Sequence, residues 1–234
     1  MTDNALVLLS GGMDSTTLLA TAIEEDAGTV EAVFINYGQR HIRERESSRA
    51  VAAHYGTRWH ELDLTGFGAS VDSALTSAAI EVPHGHYTAE TMRITVVPNR
   101  NATLLSAAAG IAASRNLGTV YTAVHAGDHA VYADCRPEFI TAIDTTARLG
   151  CGVGVAAPFV NITKTDIAAI GFRVGAPLGL SWSCYEGGQR NANQHCGRCG
   201  TCVERAEAFH DAGVADPTDY ADTDYWRAAV ASVK

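Results

Sequence analysis

The sequence predicts an α/β protein: a doubly wound, mainly parallel sheet of five strands flanked by helices, with a smaller cysteine-bearing lobe at its C-terminal end. Three observations carry this expectation. The apolar run Ala5-Leu6-Val7-Leu8-Leu9 leads through Ser10-Gly11-Gly12-Met13-Asp14-Ser15 into Thr16-Thr17-Leu18-Leu19-Ala20, an order that reads as strand, glycine turn, helix. Strand and helix patterns then alternate through the first two-thirds of the chain, as parallel strands joined by crossover helices require. The last third breaks that rhythm with Cys196-Gly197-Arg198-Cys199-Gly200-Thr201-Cys202. We therefore expect an α/β body over residues 1–175 and a helical lobe over 176–234.

The elements follow in order. The first strand covers Ala5–Leu9, a helix starts at Ser15, a strand spans Val30–Asn36, a helix runs from about Arg40 to Tyr55, and a third strand covers Arg58–Leu64. Residues Thr65 to Val97 lose periodicity and carry Gly66, Gly68, Pro83 and Gly85. That is too long for an idle connection, so the stretch reads as a substrate lid or a partner-contacting excursion. An alanine-rich helix follows at Asn101–Arg115, then a strand at Thr119–Val124, then a loop to a helix with Pro137 in its first turn. Thr163-Lys164-Thr165-Asp166 reads as a capping box for a helix that stops before Gly175. Gly152-Val153-Gly154-Val155-Ala156-Ala157 formally matches a dinucleotide fingerprint, but it follows a helix and meets Pro158, so that reading is set aside.

Composition bounds the function. With 234 residues, 47% hydrophobic and 18% charged, the chain can bury one substantial core. Lys and Arg number 17 against 26 Asp and Glu, a net charge of −9, and no basic stripe appears, which argues against a nucleic-acid surface. No basic leader and no apolar run of spanning length is visible, so no membrane partner is expected and the cytoplasm is the expected setting.

The double glycine lets the backbone approach a ligand closely, and the free N–H groups of the following helix point at it together with the positive dipole end. A phosphate suits that place. Ser10, Ser15, Thr16 and Thr17 add hydroxyls, while Asp14 fits beside an anion only by bridging a metal ion or bracing the loop. The Walker spacing does not fit. The alternative is an ordinary strand-to-helix turn whose hydroxyls satisfy the helix end.

Cys184 and, after an eleven-residue gap, Cys196, Cys199 and Cys202 have the spacing of a four-thiolate site. A Cys-x-x-Cys knuckle presents two sulfurs to one ion, and four protein ligands leave no position for water, which points to structural zinc. A redox dithiol or an iron–sulfur ligand set are the other readings, and His195 is a possible substitute ligand. Cys135 and Cys151 read as buried small side chains.

The pattern Ser-Gly-Gly-x-Asp-Ser after a first strand resembles the loop of the ATP pyrophosphatase superfamily, enzymes that adenylate a substrate oxygen. Together with the cysteines, Asn36-Tyr37-Gly38-Gln39-Arg40-His41, Val97-Pro98-Asn99-Arg100-Asn101, Asp134-Cys135-Arg136-Pro137-Glu138-Phe139 and Trp182-Ser183-Cys184-Tyr185 resemble the 7-cyano-7-deazaguanine synthases of the queuosine pathway, from residue 6 to about 210. The chain departs from them at Gly127–Ala133, where many members read Asp-(Phe/Tyr)-Ser-Gly-Tyr-Pro. The resemblance implies an adenine nucleotide alpha hydrolase-like fold, and ATP held by Leu9, Ser10, Gly11, Gly12, Met13, Asp14, Ser15, Thr16, Thr17, Leu18 and Leu19. It further implies magnesium, structural zinc on Cys184, Cys196, Cys199 and Cys202, a homodimer, and 7-carboxy-7-deazaguanine with ammonia as substrates. Arg100 would act as an anion fork, Asp134 and Arg136 would meet the heterocycle beside Asp128, and Lys164 would reach the α-phosphate. Asp134 has helix capping as its alternative, Lys164 a solvent-facing position, and Gln39, Arg40 and His41 either phosphate or dimer contacts or a solvated helix start. Rival readings are a tRNA-thiolating or amidating relative and a nucleotide sensor without turnover.

Overall fold

The computed structural model describes residues 4–25, 28–39, 42–77, 84–85, 93–187 and 193–232. Strands β1 (Ala5–Leu8), β2 (Val30–Asn36), β3 (Arg58–Asp63), β4 (Thr119–Tyr121) and β5 (Gly154–Ala156) form one parallel sheet in the order β3-β2-β1-β4-β5. The helices are α1 (Met13–Glu24), α2 (Ile42–His54), α3 (Thr65–Gly68), α4 (Arg100–Ser114), α5 (Pro137–Cys151), α6 (Lys164–Arg173), α7 (Gly200–Asp211) and α8 (Tyr225–Ala231).

Alternation along the strands sorts the core into two layers. Leu6, Val33 and Val120 pack with Leu105 and Ala108 of α4 and Ile140 and Ile143 of α5. Their neighbours Val7, Leu9 and Ala32 pack on the opposite face with Leu18 and Leu19 of α1, Val51 of α2 and Ile167 of α6. Helices on both faces explain why β1 is buried along nearly its whole length and reads as an unbroken apolar run.

The fifth strand lies within the segment that mimics a dinucleotide fingerprint. Gly152, at φ +75°, ends α5 in the left-handed conformation, and Asp144 Oδ1 then accepts from Val155 N at 2.7 Å to hold the strand. The two glycines therefore serve a helix end and an edge strand. The strand at Thr119 ends at Tyr121 rather than Val124, because β5 supplies pairing for only three residues.

Residues beyond 175 share the core of the body. Ala208 and Phe209 of α7 sit in one cluster with Val7, Leu18 and Ile167. Arg205, fully buried, ties this part together: Nε donates to Thr218 Oγ1 at 2.7 Å, Nη1 to Ser181 Oγ at 2.9 Å and Nη2 to Leu178 O at 3.0 Å.

Candidate active site

The sheet order reverses between β1 and β4, and a cavity of about 270 Å³ opens there, beyond the C-terminal ends of β1, β2 and β4. Doubly wound sheets bind ligands at such a point, because adjacent loops diverge to opposite faces.

The loop after β1 forms one end. Gly11 has φ +91°, and an added Cβ would run into the Glu44 carbonyl oxygen and stand 2.7 Å from Ser48 N, so the loop lies hard against α2. Ser48 fixes this contact, its hydroxyl donating to Leu9 O and accepting from Trp59 Nε1, both at 2.8 Å. Gly12 is the N-cap of α1 and contributes no side-chain cap. The first N–H groups of α1 are thereby left to a ligand. Ser10 and Ser15 bring their hydroxyls 3.0 Å apart across the loop. Leu9, Ser10, Gly12, Met13, Asp14 and Ser15 line the cavity, whereas Gly11 lies behind it and Thr16, Thr17, Leu18 and Leu19 do not reach it. One turn along, the helix faces α6 and the core, and Thr17 Oγ1 packs against Gly171.

Charged groups converge beside the loop. Lys164 opens α6 through the expected capping box, in which Thr163 Oγ1 accepts from Asp166 N and Asp166 Oδ2 accepts from Thr163 N. Its Nζ donates to Glu204 Oε2 of α7 at 3.0 Å and stands 3.7 Å from Asp14 Oδ2. Burial works against the ammonium, but Asp14, Glu204 and Asp128 outweigh it and hold its pKa above the ordinary lysine range. His125 Nδ1 accepts from Gly127 N at 3.1 Å, which leaves the ring proton on Nε2, 3.9 Å from Asp14 Oδ2 and 3.8 Å from Asp128 Oδ2. Asp14 Oδ1 is buried with no hydrogen-bond partner among the described residues. A bare buried carboxylate oxygen is costly, and a divalent cation on a phosphate would satisfy it, so the donor set fits magnesium.

The other end is built from α2, α4 and the tyrosines. Arg100 opens α4 behind Asn99, which takes a left-handed φ of +56°. Its Nε donates to Asn101 Oδ1 at 3.2 Å, and its guanidinium charge acts on the Tyr37 side chain in the same wall. Glu44, Tyr132 and Tyr185 complete the wall. Burial pushes the Glu44 carboxyl up to about 7, with Arg100 drawing it partway back. Cys135 also lines this wall; burial raises its pKa above the ordinary thiol range, and it accepts from Asn101 Nδ2 at 3.2 Å, a protonated thiol rather than a nucleophile.

Asp134 and Arg136 do not line the cavity. Asp134 Oδ2 accepts from Asn101 N at 2.9 Å, capping the first turn of α4 from a distant segment. Arg136 Nε donates to His129 O at 2.9 Å and braces the turn before α5. Gln39 lines the cavity, but its amide accepts from Tyr37 N and donates to Ile35 O, clamping its own turn. Arg40 and His41 lie outside the described residues, as do 78–83 and 86–92 of the 65–97 excursion. Of that excursion, Leu75 lines the cavity and Thr95 Oγ1 bonds Tyr132 OH at 2.6 Å.

The cysteines form a second centre. The ligand atoms of Cys184, Cys196, Cys199 and Cys202 lie within 4.8 Å of one another, with Cys184–Cys199 and Cys196–Cys202 sulfurs 3.9 Å apart. A tetrahedral ion with metal–sulfur bonds near ~2.3 Å calls for sulfur separations of about 3.8 Å. Backbone N–H groups of Cys196 and Gly187 donate to Cys184 Sγ at 3.2 Å, and those of Arg198 and Cys199 to Cys196 Sγ at 3.3 Å, as partners for thiolate charge. The set can hold one metal ion. His195 is not a ligand: Nε2 accepts from Ser183 N at 3.1 Å, the ring packs at a tilt against Trp182, and burial lowers its pKa to about 3, with Arg205 and Arg43 adding to the effect.

A profile described as "Queuosine biosynthesis protein QueC" matches residues 4–213. The chain belongs to this family. It is 47% identical over 229 residues to a 7-cyano-7-deazaguanine synthase of Brucella anthropi, covering 96% of this chain and 97% of that one. A synthase of the same name from Ruegeria is 46% identical over 230 residues, covering 97% of each. Among solved structures, an NH3-dependent NAD synthetase from Campylobacter jejuni aligns with a TM-score of 0.46 at 14% identity, over 76% of this chain and 66% of that one. His125, Glu44 and Glu204 were not singled out from the sequence, since none stands in a chemically telling pattern. Their meaning comes from what they face.

Proposed function

We propose that this chain converts 7-carboxy-7-deazaguanine and ammonia into 7-cyano-7-deazaguanine in an ATP-dependent reaction. The observation that carries the reading is the cavity at the β1/β4 reversal, with an open helix N-terminus and Lys164 at one end and Arg100 and Glu44 at the other. ATP lies with its phosphates on the Ser10–Ser15 loop. The substrate carboxylate attacks the α-phosphate, forming an acyl-adenylate and releasing pyrophosphate; ammonia then displaces AMP to give the amide. Adenylation of the amide oxygen by a second ATP, followed by loss of AMP, leaves the nitrile.

The side chains position and neutralise. Two anions must meet, and Lys164 and Arg100 offset their repulsion at the two ends of the cavity. Asp14, with Asp128, would hold magnesium, which neutralises the departing pyrophosphate. The four cysteines hold zinc as a structural ion, residues 176–234 being the lobe that it organises against the 1–175 body. A homodimer in the cytoplasm, where all six free cysteines stay reduced, completes the reading.

Mass analysis after incubation with the acid, ATP, magnesium and ammonium tests it. The expected products are the nitrile, AMP and pyrophosphate. Release of ADP and phosphate would overturn the α-phosphate chemistry, and an unchanged acid would overturn the substrate.

A further inference from the structure

The cavity holds carboxylates at both ends, and their partners differ. Asp14 and Glu204 stand beside Lys164, and Asp14 and Asp128 both face His125. Glu44 stands apart from them, half-buried in the wall with Tyr37, Tyr185 and Arg100, all within reach of its charge. Among the described residues no ion pair within 4.0 Å joins Glu44 to Arg100. The two opposite charges are therefore neighbours that leave space between them. The position of Glu44 is also fixed, because its backbone carbonyl is the surface against which Gly11 is packed.

A guanine-type ring presents along one edge an acceptor, O6, followed by two donors, N1–H and the 2-amino group. A guanidinium next to a carboxylate is the complement of that edge, the carboxylate taking both donors in a bidentate pair. Tyr37 and Tyr185 offer flat apolar surface for the ring. Resting on the proposed reaction, we infer that Glu44 is the specificity residue of this cavity, accepting from N1–H and the 2-amino group of the deazaguanine while Arg100 takes O6. Its register with the phosphate loop, set through Gly11, then places the reacting carboxylate relative to ATP. A buried acceptor that loses its donor is left bare, so the site rejects a ring without the 2-amino group far more strongly than lost contact area requires.

Calorimetry with 7-carboxy-7-deazaguanine and with its 2-desamino counterpart, 7-carboxy-7-deazahypoxanthine, tests the assignment. Wild-type protein should prefer the amino compound by about 10²-fold or more. Glu44→Gln should lose most of that preference while its ATP affinity stays unchanged, which also reports that the variant is folded. An equal affinity of wild-type protein for the two acids would overturn the inference without any variant, as would a Glu44→Gln protein that keeps the wild-type ratio. Wild-type protein that binds neither acid would instead remove the proposed reaction, and the assignment with it.

Discussion

Two adjacent glycines that look alike in the sequence have different tasks. Gly11 needs its positive φ and its bare Cα to pass α2, so Gly11→Ala should lower the melting temperature by several degrees, the response to about 1–3 kcal/mol of strain in a packed site. At Gly12 an added Cβ meets only ordinary contacts, Ser10 Oγ at 3.5 Å and Trp182 O at 3.7 Å. Gly12→Val should fold and lose ATP affinity; calorimetry showing wild-type affinity would remove the phosphate from this loop. Lys164→Ala leaves Asp14 and Glu204 unopposed beside a triphosphate, so turnover should fall by roughly 10²–10³-fold with the circular dichroism spectrum unchanged. Glu44 gives a pH signature. Its carboxyl is raised in the folded chain from 4.5 to about 7, so between those values the folded state holds more protons than the unfolded state and stability declines as pH rises. The melting temperature of Glu44→Gln minus that of the wild type should therefore grow as pH is raised through that window. A flat difference would contradict the raised pKa.

Among the elements, α4 and α6 show two ways to start a helix at a ligand site. The start of α6 is local: Thr163 and Asp166 cap each other, a pattern visible three residues apart in the sequence. The start of α4 is not. Asn99 provides no side-chain cap, and the acceptor for Asn101 N is Asp134, thirty-three residues on. Asp134→Ala should lower stability by about 1 kcal/mol, the typical loss of a cap, and displace Arg100, so that the KM for the acid rises. Asp134→Asn, which keeps an acceptor oxygen, should recover most of the stability in thermal melts. The sequence offers capping as the alternative to a heterocycle contact for Asp134, and the structure bears out that alternative; which helix it caps is not legible from the sequence.

At the level of the whole molecule, the cysteine centre and the cavity share a wall. Trp182 N donates to Gly11 O at 2.8 Å, and α7, which begins at the knuckle, carries Thr201 and Glu204 into the cavity. His195, neutral and packed against Trp182, and Arg205 with its four acceptors fasten the strap between them. Removing the metal should therefore be felt at the loop. Cys199→Ser should yield protein without bound metal, a lower melting temperature and weaker ATP binding, checked by metal analysis, calorimetry and thermal melts. Metal-free protein that melts and binds ATP like the wild type would show the centre to be dispensable.

Local sequence is enough to specify the parallel sheet, the glycine loop between β1 and α1, the capping box at Lys164 and the four-cysteine set. Each rests on short-range physics: side-chain periodicity, glycine freedom, a cap closed within one turn, or ligand spacing. Tertiary structure alone decided the strand order β3-β2-β1-β4-β5, the place of β5 inside a misleading glycine motif, and the turning of Thr16–Leu19 into the core. It also decided that Glu44, His125 and Glu204 face the cavity while Asp134 and Arg136 support it from behind. Those outcomes depend on contacts between segments tens of residues apart, whose geometry is set by how two layers of helices close over one sheet.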